Sequence, residues 1–257
     1  MQRGLVLMNH YREIEGLPIS MISERVRFNS VNTPVNPNNK LENKKTGTTT
    51  VGVVGTNFVL LAADQQATMG NVVADEDAQK IYAITDYVAL TISGGVGDAL
   101  AVIRFLKAQA ALYEVERGTK ITPRAVASLL SNVLNGNRYY PFMFMPLVGG
   151  VNNNAELYEI DPVGSIADKK KYGVTGSGSD FAMSILDSGY KEGLSEDEAV
   201  LLAVKAVMAS KNRDIYTGGK TISISIIDKD GYRTVDPKEV EKAISNTKIN
   251  FAKLPKM

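Results

Sequence analysis

The sequence predicts an α+β fold, a four-layer αββα sandwich in which two antiparallel sheets face each other and a helix pair covers each outer face. Three observations carry the prediction. Five short strand-like runs precede the first helical pattern, which favours antiparallel sheet over βαβ crossovers. The patterns then follow the order strands, two helices, strands, two helices, strands. The chain has 257 residues, 44% hydrophobic and 22% charged, enough for a sizeable core and ordinary for a globular protein.

Residues 1–47 stand apart from this rhythm. They include Asn29, Ser30, Asn32, Thr33, Pro34, Asn36, Pro37, Asn38 and Asn39, a polar run without sustained periodicity. Residues 5–22 carry scattered apolar positions that suit a short helix, and Met8 and Met21 are alternative starts. The composition fits a disordered tail and a pro-segment equally. The switch to compact-domain patterning falls at Gly47 and Thr48, which marks a candidate processing point and divides the chain into residues 1–47 and 48–257.

From Thr48 the elements follow in order. Residues 48–54 are β-branched and threonine-rich, and Gly55, Thr56 and Asn57 turn them into residues 58–63, apolar enough to be buried on both faces. Asp64 ends that run. Val72 and Val73, residues 81–84 and residues 87–92 supply further strands around the acidic loop Asp75, Glu76 and Asp77. A helix opens at residues 94–98, with Ala99, Val102, Ile103, Leu106, Ala110 and Tyr113 on one face and Gly118 as its stop. Thr122 and Pro123 start a second helix, Pro taking the first position where its missing N–H does no harm. Residues 143–151 and 156–161 form a hairpin about Asn152, Asn153 and Asn154, and one strand is expected from 165 towards 174. Helices follow over 181–192, closed by Gly193, and from Ser195, whose spacing to Glu198 is that of a capping box. A last hairpin over 221–235 and a helix over 237–244 end the fold. In this arrangement the strand after Thr48 sits centrally in its sheet.

Composition removes several chemistries. There is no cysteine, so thiol nucleophiles, disulfides and thiolate metal sites are excluded. The single histidine, His10, lies in the leading segment. Without that segment no Ser-His-Asp triad or His-ligated zinc is available, and no metal or other cofactor is expected. A nucleophilic enzyme here takes its base from a carboxylate, a lysine or a free α-amine. The net charge of +1 gives no reason to expect nucleic acid or an anionic membrane. No apolar run has the length of a membrane helix, and charges interrupt the first residues where a secretory signal would be apolar. A cytoplasmic location is the expectation.

Five pieces in order and spacing then carry a resemblance. They are Thr48-Thr49-Thr50-Val51-Gly52 with Ala63-Asp64; Lys80; residues 92–99 with Gly94-Gly95-Val96-Gly97-Asp98; Gly176-Ser177-Gly178-Ser179; and Arg213-Asp214-Ile215-Tyr216-Thr217-Gly218-Gly219. Together they resemble the proteasome β subunits, archaeal more than eukaryotic, from about Thr48 to about Ile244. The resemblance implies the N-terminal-nucleophile hydrolase fold and a threonine endopeptidase. It also implies seven-membered rings in an α7β7β7α7 barrel with proteasome α subunits and other β subunits, unfolded polypeptides as substrates, and a separate ATP-dependent unfoldase.

Carried over residue by residue, the resemblance puts the nucleophile on Thr48, the acid and lysine beside it on Asp64 and Lys80, and the groups around its amine on Ser177, Asp214 and Thr217. Gly94 supplies an oxyanion-stabilising N–H. Ala67, Thr68, Ala78, Tyr82, Ile92 and Val96 line the substrate pocket, so cleavage after hydrophobic residues is expected. The family usually has Ser where this chain has Thr217, which keeps the hydroxyl and adds a methyl. Propeptide cleavage between Gly47 and Thr48 would convert a zymogen by autocatalytic cleavage and free the α-amine.

The chemistry suits these residues. A threonine hydroxyl needs a base, and an α-amine with a pKa of about 7.7–8.0 is partly neutral near physiological pH. A Lys80 ammonium near the hydroxyl lowers its pKa, and Asp64 holds that ammonium in place. The glycines at 94–97 match neither GxxxxGK[ST] nor GxGxxG, so a phosphate cradle is not supported. Each local piece has a plainer reading, a structural Asp–Lys pair at a strand end or a Gly-Ser turn. The rival function is a structural β-ring subunit, poorly active or unprocessed until a second β subunit joins it. A non-proteasomal amide hydrolase of the same fold is a third.

Overall fold

The structure, a computed structural model, describes residues 47–247. The leader expected over residues 1–47 lies outside the described residues except for Gly47, as do His10 and the short helix over 5–22.

Twelve strands and five helices make up the described chain. The β-branched run after Thr48 forms β1 (Thr49–Val54), which turns back into β2 (Val59–Asp64) in the register Thr50↔Ala63 to Val54↔Val59. Every residue of β2 is buried, and alternation sorts them. Leu60 and Ala62 face one apolar cluster, while Val59, Leu61 and Ala63 face another. The strand is thus covered on both faces, as its unbroken apolar run predicts.

The first large sheet has the order β10-β1-β2-β11-β12, with β10 (Tyr172–Gly176), β11 (Ile222–Asp228) and β12 (Gly231–Thr234). The second has the order β5-β6-β7-β8-β9, with β5 (Ile81–Thr85), β6 (Val88–Thr91), β7 (Leu147–Val151), β8 (Ala155–Ile160) and β9 (Ile166–Asp168). All their pairings are antiparallel. A separate hairpin joins β3 (Ala67–Met69) to β4 (Val72–Asp75).

Three apolar clusters hold the elements together. The helices α1 (Val96–Arg117) and α2 (Pro123–Gly136) bury Ala99, Val102, Leu106, Val126, Leu130 and Leu134 against the second sheet. On the first sheet lie α3 (Ser179–Gly189) and α4 (Glu196–Lys211), through Leu186, Ala199, Ala203 and Val207, and α5 (Pro237–Asn246), through Val240. Between the sheets, Leu61, Ala63, Ile81, Ala89, Leu147, Leu157 and Ile227 form the third. The helix ends follow the expected signals. Thr122 Oγ1 accepts from Ala125 N–H, Ser195 and Glu198 complete a capping box, and Gly118 takes the left-handed conformation at φ 63°.

The structure departs from expectation at several places. Six strands, not five, precede the first helix, because Ala67–Met69 pairs with β4. β7 starts at Leu147 rather than 143; Pro146 lacks an N–H, and Phe144 bridges Gly94 instead. The single strand expected from 165 to 174 is two, β9 and β10, which join different sheets across Lys169, Lys170 and Lys171. The helix expected over 181–192 runs Ser179–Gly189, because Tyr190 turns extended. Tyr190 then donates its hydroxyl to Val54 O at 3.0 Å and packs edge-on against Tyr172. Finally, β2 is the central strand and β1 is its inner neighbour.

Leu157 is fully buried between the sheets, and its methyls sit where a side chain on Gly52 of β1 would be. Leu157→Ala is therefore expected to lower unfolding free energy by about 2–5 kcal/mol in chemical denaturation. Ser195→Ala at the exposed cap should cost about 1 kcal/mol.

Candidate active site

Thr48 precedes β1 and Asp64 ends β2, so the antiparallel register alone brings the two together at one end of the hairpin. Lys80 arrives from the other sheet, one residue before β5. All three are buried. Thr48 Oγ1 donates to Asp64 Oδ1, and Lys80 Nζ donates to Thr48 Oγ1 in turn. Lys80 Nζ also lies 2.7 Å from Asp64 Oδ1 and 2.7 Å from the Gln66 carbonyl. Burial pulls the Lys80 ammonium below its ordinary pKa, and the neighbouring Asp64 charge opposes that shift.

Asp64 accepts from every side. Thr49 N–H reaches Oδ1 at 3.0 Å, while Gln66 N–H and Gly218 N–H reach Oδ2 at 3.2 and 2.8 Å. Lys211 at the end of α4 donates to Gly219 O at 2.6 Å, which fixes the turn carrying the Gly218 N–H.

A second group surrounds the Thr48 nitrogen, which is a peptide amide in the continuous chain. Its N–H donates to Ser177 Oγ at 3.1 Å, and Ser177 Oγ donates to Asp214 Oδ2 at 2.5 Å. Thr217 Oγ1 donates to the same Asp214 oxygen at 2.6 Å and lies 2.8 Å from Thr49 Oγ1. The hydroxyl of Thr217 is therefore fully used, and its methyl is accommodated in a buried position. Gly47 precedes Thr48 with its N–H on Thr68 Oγ1 at 3.3 Å. A Cβ on residue 47 would overlap Tyr216 and stand 2.5 Å from Ser177 Oγ, so glycine is the residue that fits.

Gly94 lies between β6 and α1 with φ 120°, a conformation open to glycine. Met145 N–H donates to Ser93 O at 2.8 Å and Gly95 N–H to Met143 O at 2.5 Å. These bonds bracket the Gly94–Phe144 bridge and leave the Gly94 N–H out of it. Asp98, in the first turn of α1, accepts from Met143 N–H at 3.0 Å and holds the bracket from its other side.

Thr48, Lys80 and Gly94 open onto a cavity of about 290 Å³ whose wall includes Ala67, Thr68, Ala78, Tyr82, Ile92 and Val96. All the residues expected from the sequence thus meet at one place. Asp75 and Gln79 also line the cavity. In the sequence Asp75 stands only in an acidic loop and Tyr216 and Gly218 only within the run 213–219, and no local signal marks Gln79, Gln66 or Lys211. Among the described residues no cluster of three or more His, Asp or Glu side chains could hold a metal ion, and no helix is long and apolar enough to cross a membrane.

A family model described as "Proteasome subunit" matches residues 44–227. A proteasome subunit beta of Methanocaldococcus fervens is 44% identical over 201 residues, covering 77% of this chain and 89% of the relative. One from Methanocaldococcus jannaschii is 42% identical over 204 residues, covering 79% and 91%. A third, from Methanococcus maripaludis, is 43% identical over 197 residues, covering 76% and 90%.

Removing Asp64 strands a buried ammonium and three backbone N–H groups together, whereas removing Lys80 leaves the carboxylate its backbone donors. Asp64→Ala is expected to cost about 3–5 kcal/mol of stability, and Lys80→Ala less, read as denaturation midpoints of the two variants side by side.

Proposed function

This chain belongs to the proteasome subunit family as a β-type member, and from that premise we propose that it is a threonine endopeptidase whose nucleophile is Thr48. The observation that carries the reading is the position of Thr48 Oγ1, held between Lys80 Nζ and Asp64 Oδ1 at the mouth of the cavity. In this reading the protein has the four-layer N-terminal-nucleophile hydrolase fold and works in the cytoplasm within stacked seven-membered rings. Its partners there are α subunits and other β subunits, and a separate ATP-dependent unfoldase feeds it unfolded polypeptides.

The chain is its own first substrate. Thr48 Oγ attacks the Gly47 carbonyl carbon, the tetrahedral centre collapses with cleavage of the Gly47–Thr48 C–N bond, and the Thr48 nitrogen takes up a proton. Water then hydrolyses the resulting ester, releasing residues 1–47 as a carboxylate and leaving Thr48 with a free α-amine. In later turnovers that amine, beside Ser177 and Asp214, accepts the hydroxyl proton as Oγ attacks a peptide carbonyl. The Gly94 N–H, unused in its own bridge, stabilises the oxyanion. The apolar wall of Ala67, Ala78, Tyr82, Ile92 and Val96 takes a hydrophobic side chain before the scissile bond.

A second reading of the base has its own support. Lys80 Nζ touches Thr48 Oγ1 directly and its pKa is drawn down by burial, which favours a neutral amine at lower pH than a free lysine. Lys80 is then the base for self-cleavage, when no α-amine exists. The rival assignment, a structural ring subunit that turns over poorly, finds less support, because Thr217 keeps its hydroxyl bonded to Asp214 and Thr49.

Intact-mass measurement of the assembled protein should give a chain beginning at Thr48 that hydrolyses fluorogenic peptides after hydrophobic residues. Thr48→Ala should retain residues 1–47 and lose hydrolysis; normal cleavage in that variant overturns the reading. The bases separate by pH. A base must be unprotonated, so self-cleavage through Lys80 should rise with pH and level off below the ordinary lysine value of 10.5, and Lys80→Arg should abolish it. Peptide hydrolysis through the α-amine should level off near about 7.7–8.0. One shared pH limb for both reactions assigns both to Lys80.

A further inference from the structure

Thr50, Thr91 and Thr175 stand on β1, β6 and β10, strands drawn from both large sheets, and all three are buried. Their side-chain hydrogen bonds go to one another and to the segment 145–147, not to Thr48, Asp64, Lys80 or Gly94. Thr91 Oγ1 donates to Thr50 Oγ1 at 3.0 Å, and the hydroxyls of Thr50 and Thr175 are 2.7 Å apart. Both ends of this chain are backbone groups of one short segment. Leu147 N–H donates to Thr91 Oγ1 at 3.1 Å, and Thr175 Oγ1 donates to Met145 O at 3.1 Å.

A hydroxyl has one proton to give. With an N–H at one end and a C=O at the other, the protons run one way, from Leu147 through Thr91, Thr50 and Thr175 to Met145. Each hydroxyl donates once and accepts once, so none is left unpaired in the interior. The ring closes on the segment whose preceding residues bracket Gly94. Met145 N–H bonds Ser93 O, and Met143 O accepts from Gly95 N–H. On its other side the ring holds β1, which starts one residue after Thr48. Apolar packing between the sheets is non-directional, whereas these hydrogen bonds fix distance and angle.

We infer that Thr50, Thr91 and Thr175 are positioning residues that set the Gly94 N–H relative to the Thr48 hydroxyl across the gap between the sheets. The inference rests on the threonine-peptidase reading, in which that N–H receives the oxyanion. Their replacement therefore weakens the transition state and leaves ground-state peptide binding alone.

The test uses the full chain in its assembled form, with working sites counted by covalent titration of Thr48. Thr50→Val exchanges a hydroxyl for a methyl of similar size. It should lower kcat per working site by about 10–100-fold with KM close to the wild-type value. Affinity for a peptide boronate, whose adduct on Thr48 presents an oxygen towards Gly94, should fall by the same factor. Thr50→Ser should restore most of both. Where Thr50→Val fails to fold, Thr175→Val on the edge strand β10 supplies the same measurement. A role confined to stability lowers the melting temperature and the number of working sites, with kcat per site and boronate affinity unchanged, and that result overturns the inference alone. A wild-type chain that neither turns over peptides nor forms the boronate adduct overturns the peptidase reading, and this inference with it.

Discussion

A buried carboxylate at the end of a strand organises this protein. Asp64 is fully enclosed, yet its two oxygens collect the Thr48 hydroxyl, the Lys80 ammonium and the backbone N–H groups of Thr49, Gln66 and Gly218. An isolated charge there would be prohibitively costly, so the donors must converge wherever Asp64 goes. They come from β1, from the loop after β2, from the approach to β5 and from the turn before β11. One anion therefore constrains where four separate parts of the chain can lie. Burial draws the Lys80 ammonium below its usual pKa while the Asp64 charge opposes that shift, so the same carboxylate that constrains the fold keeps Lys80 closer to its charged form.

Much of this was legible in the sequence because it depends on short-range patterns. The hairpin from β1 to β2 followed from β-branched residues around Gly55, and its register alone sets Thr48 beside Asp64. The capping box at Ser195 and Glu198, the Pro123 start and the Gly118 stop were local signals that held. What could not be read was decided at long range. The break between β9 and β10 depends on which sheet each half joins, and three consecutive lysines gave no sign of a crossing. The early end of α3 follows from Tyr190 finding Val54 and Tyr172, partners far away in sequence. The site divides the same way. Asp64, Lys80, Ser177, Asp214 and Thr217 stood out through the family resemblance their motifs carry, while Gln66 and Gly218 reach Asp64 through backbone N–H groups that nearly any residue has. Thr50, Thr91 and Thr175 looked like ordinary strand threonines until the two sheets brought them together.

The apolar clusters and the polar contacts divide the labour. Helices on each sheet and the layer between the sheets supply cohesion, which tolerates small shifts. Alignment to a fraction of an ångström comes from directional bonds at a few points, among them the bracket of Met143 and Met145 around Gly94 and the acceptors of Asp64.

The tight fit at Gly47 has a consequence for anyone seeking to block this site. A side chain on residue 47 would run into Tyr216 and Ser177, whereas the cavity beside Thr48 is walled by Ala67, Ala78, Tyr82 and Ile92. On the proposed reading, an inhibitor shaped to that cavity would meet neither Tyr216 nor Ser177, the two residues that restrict position 47 to glycine.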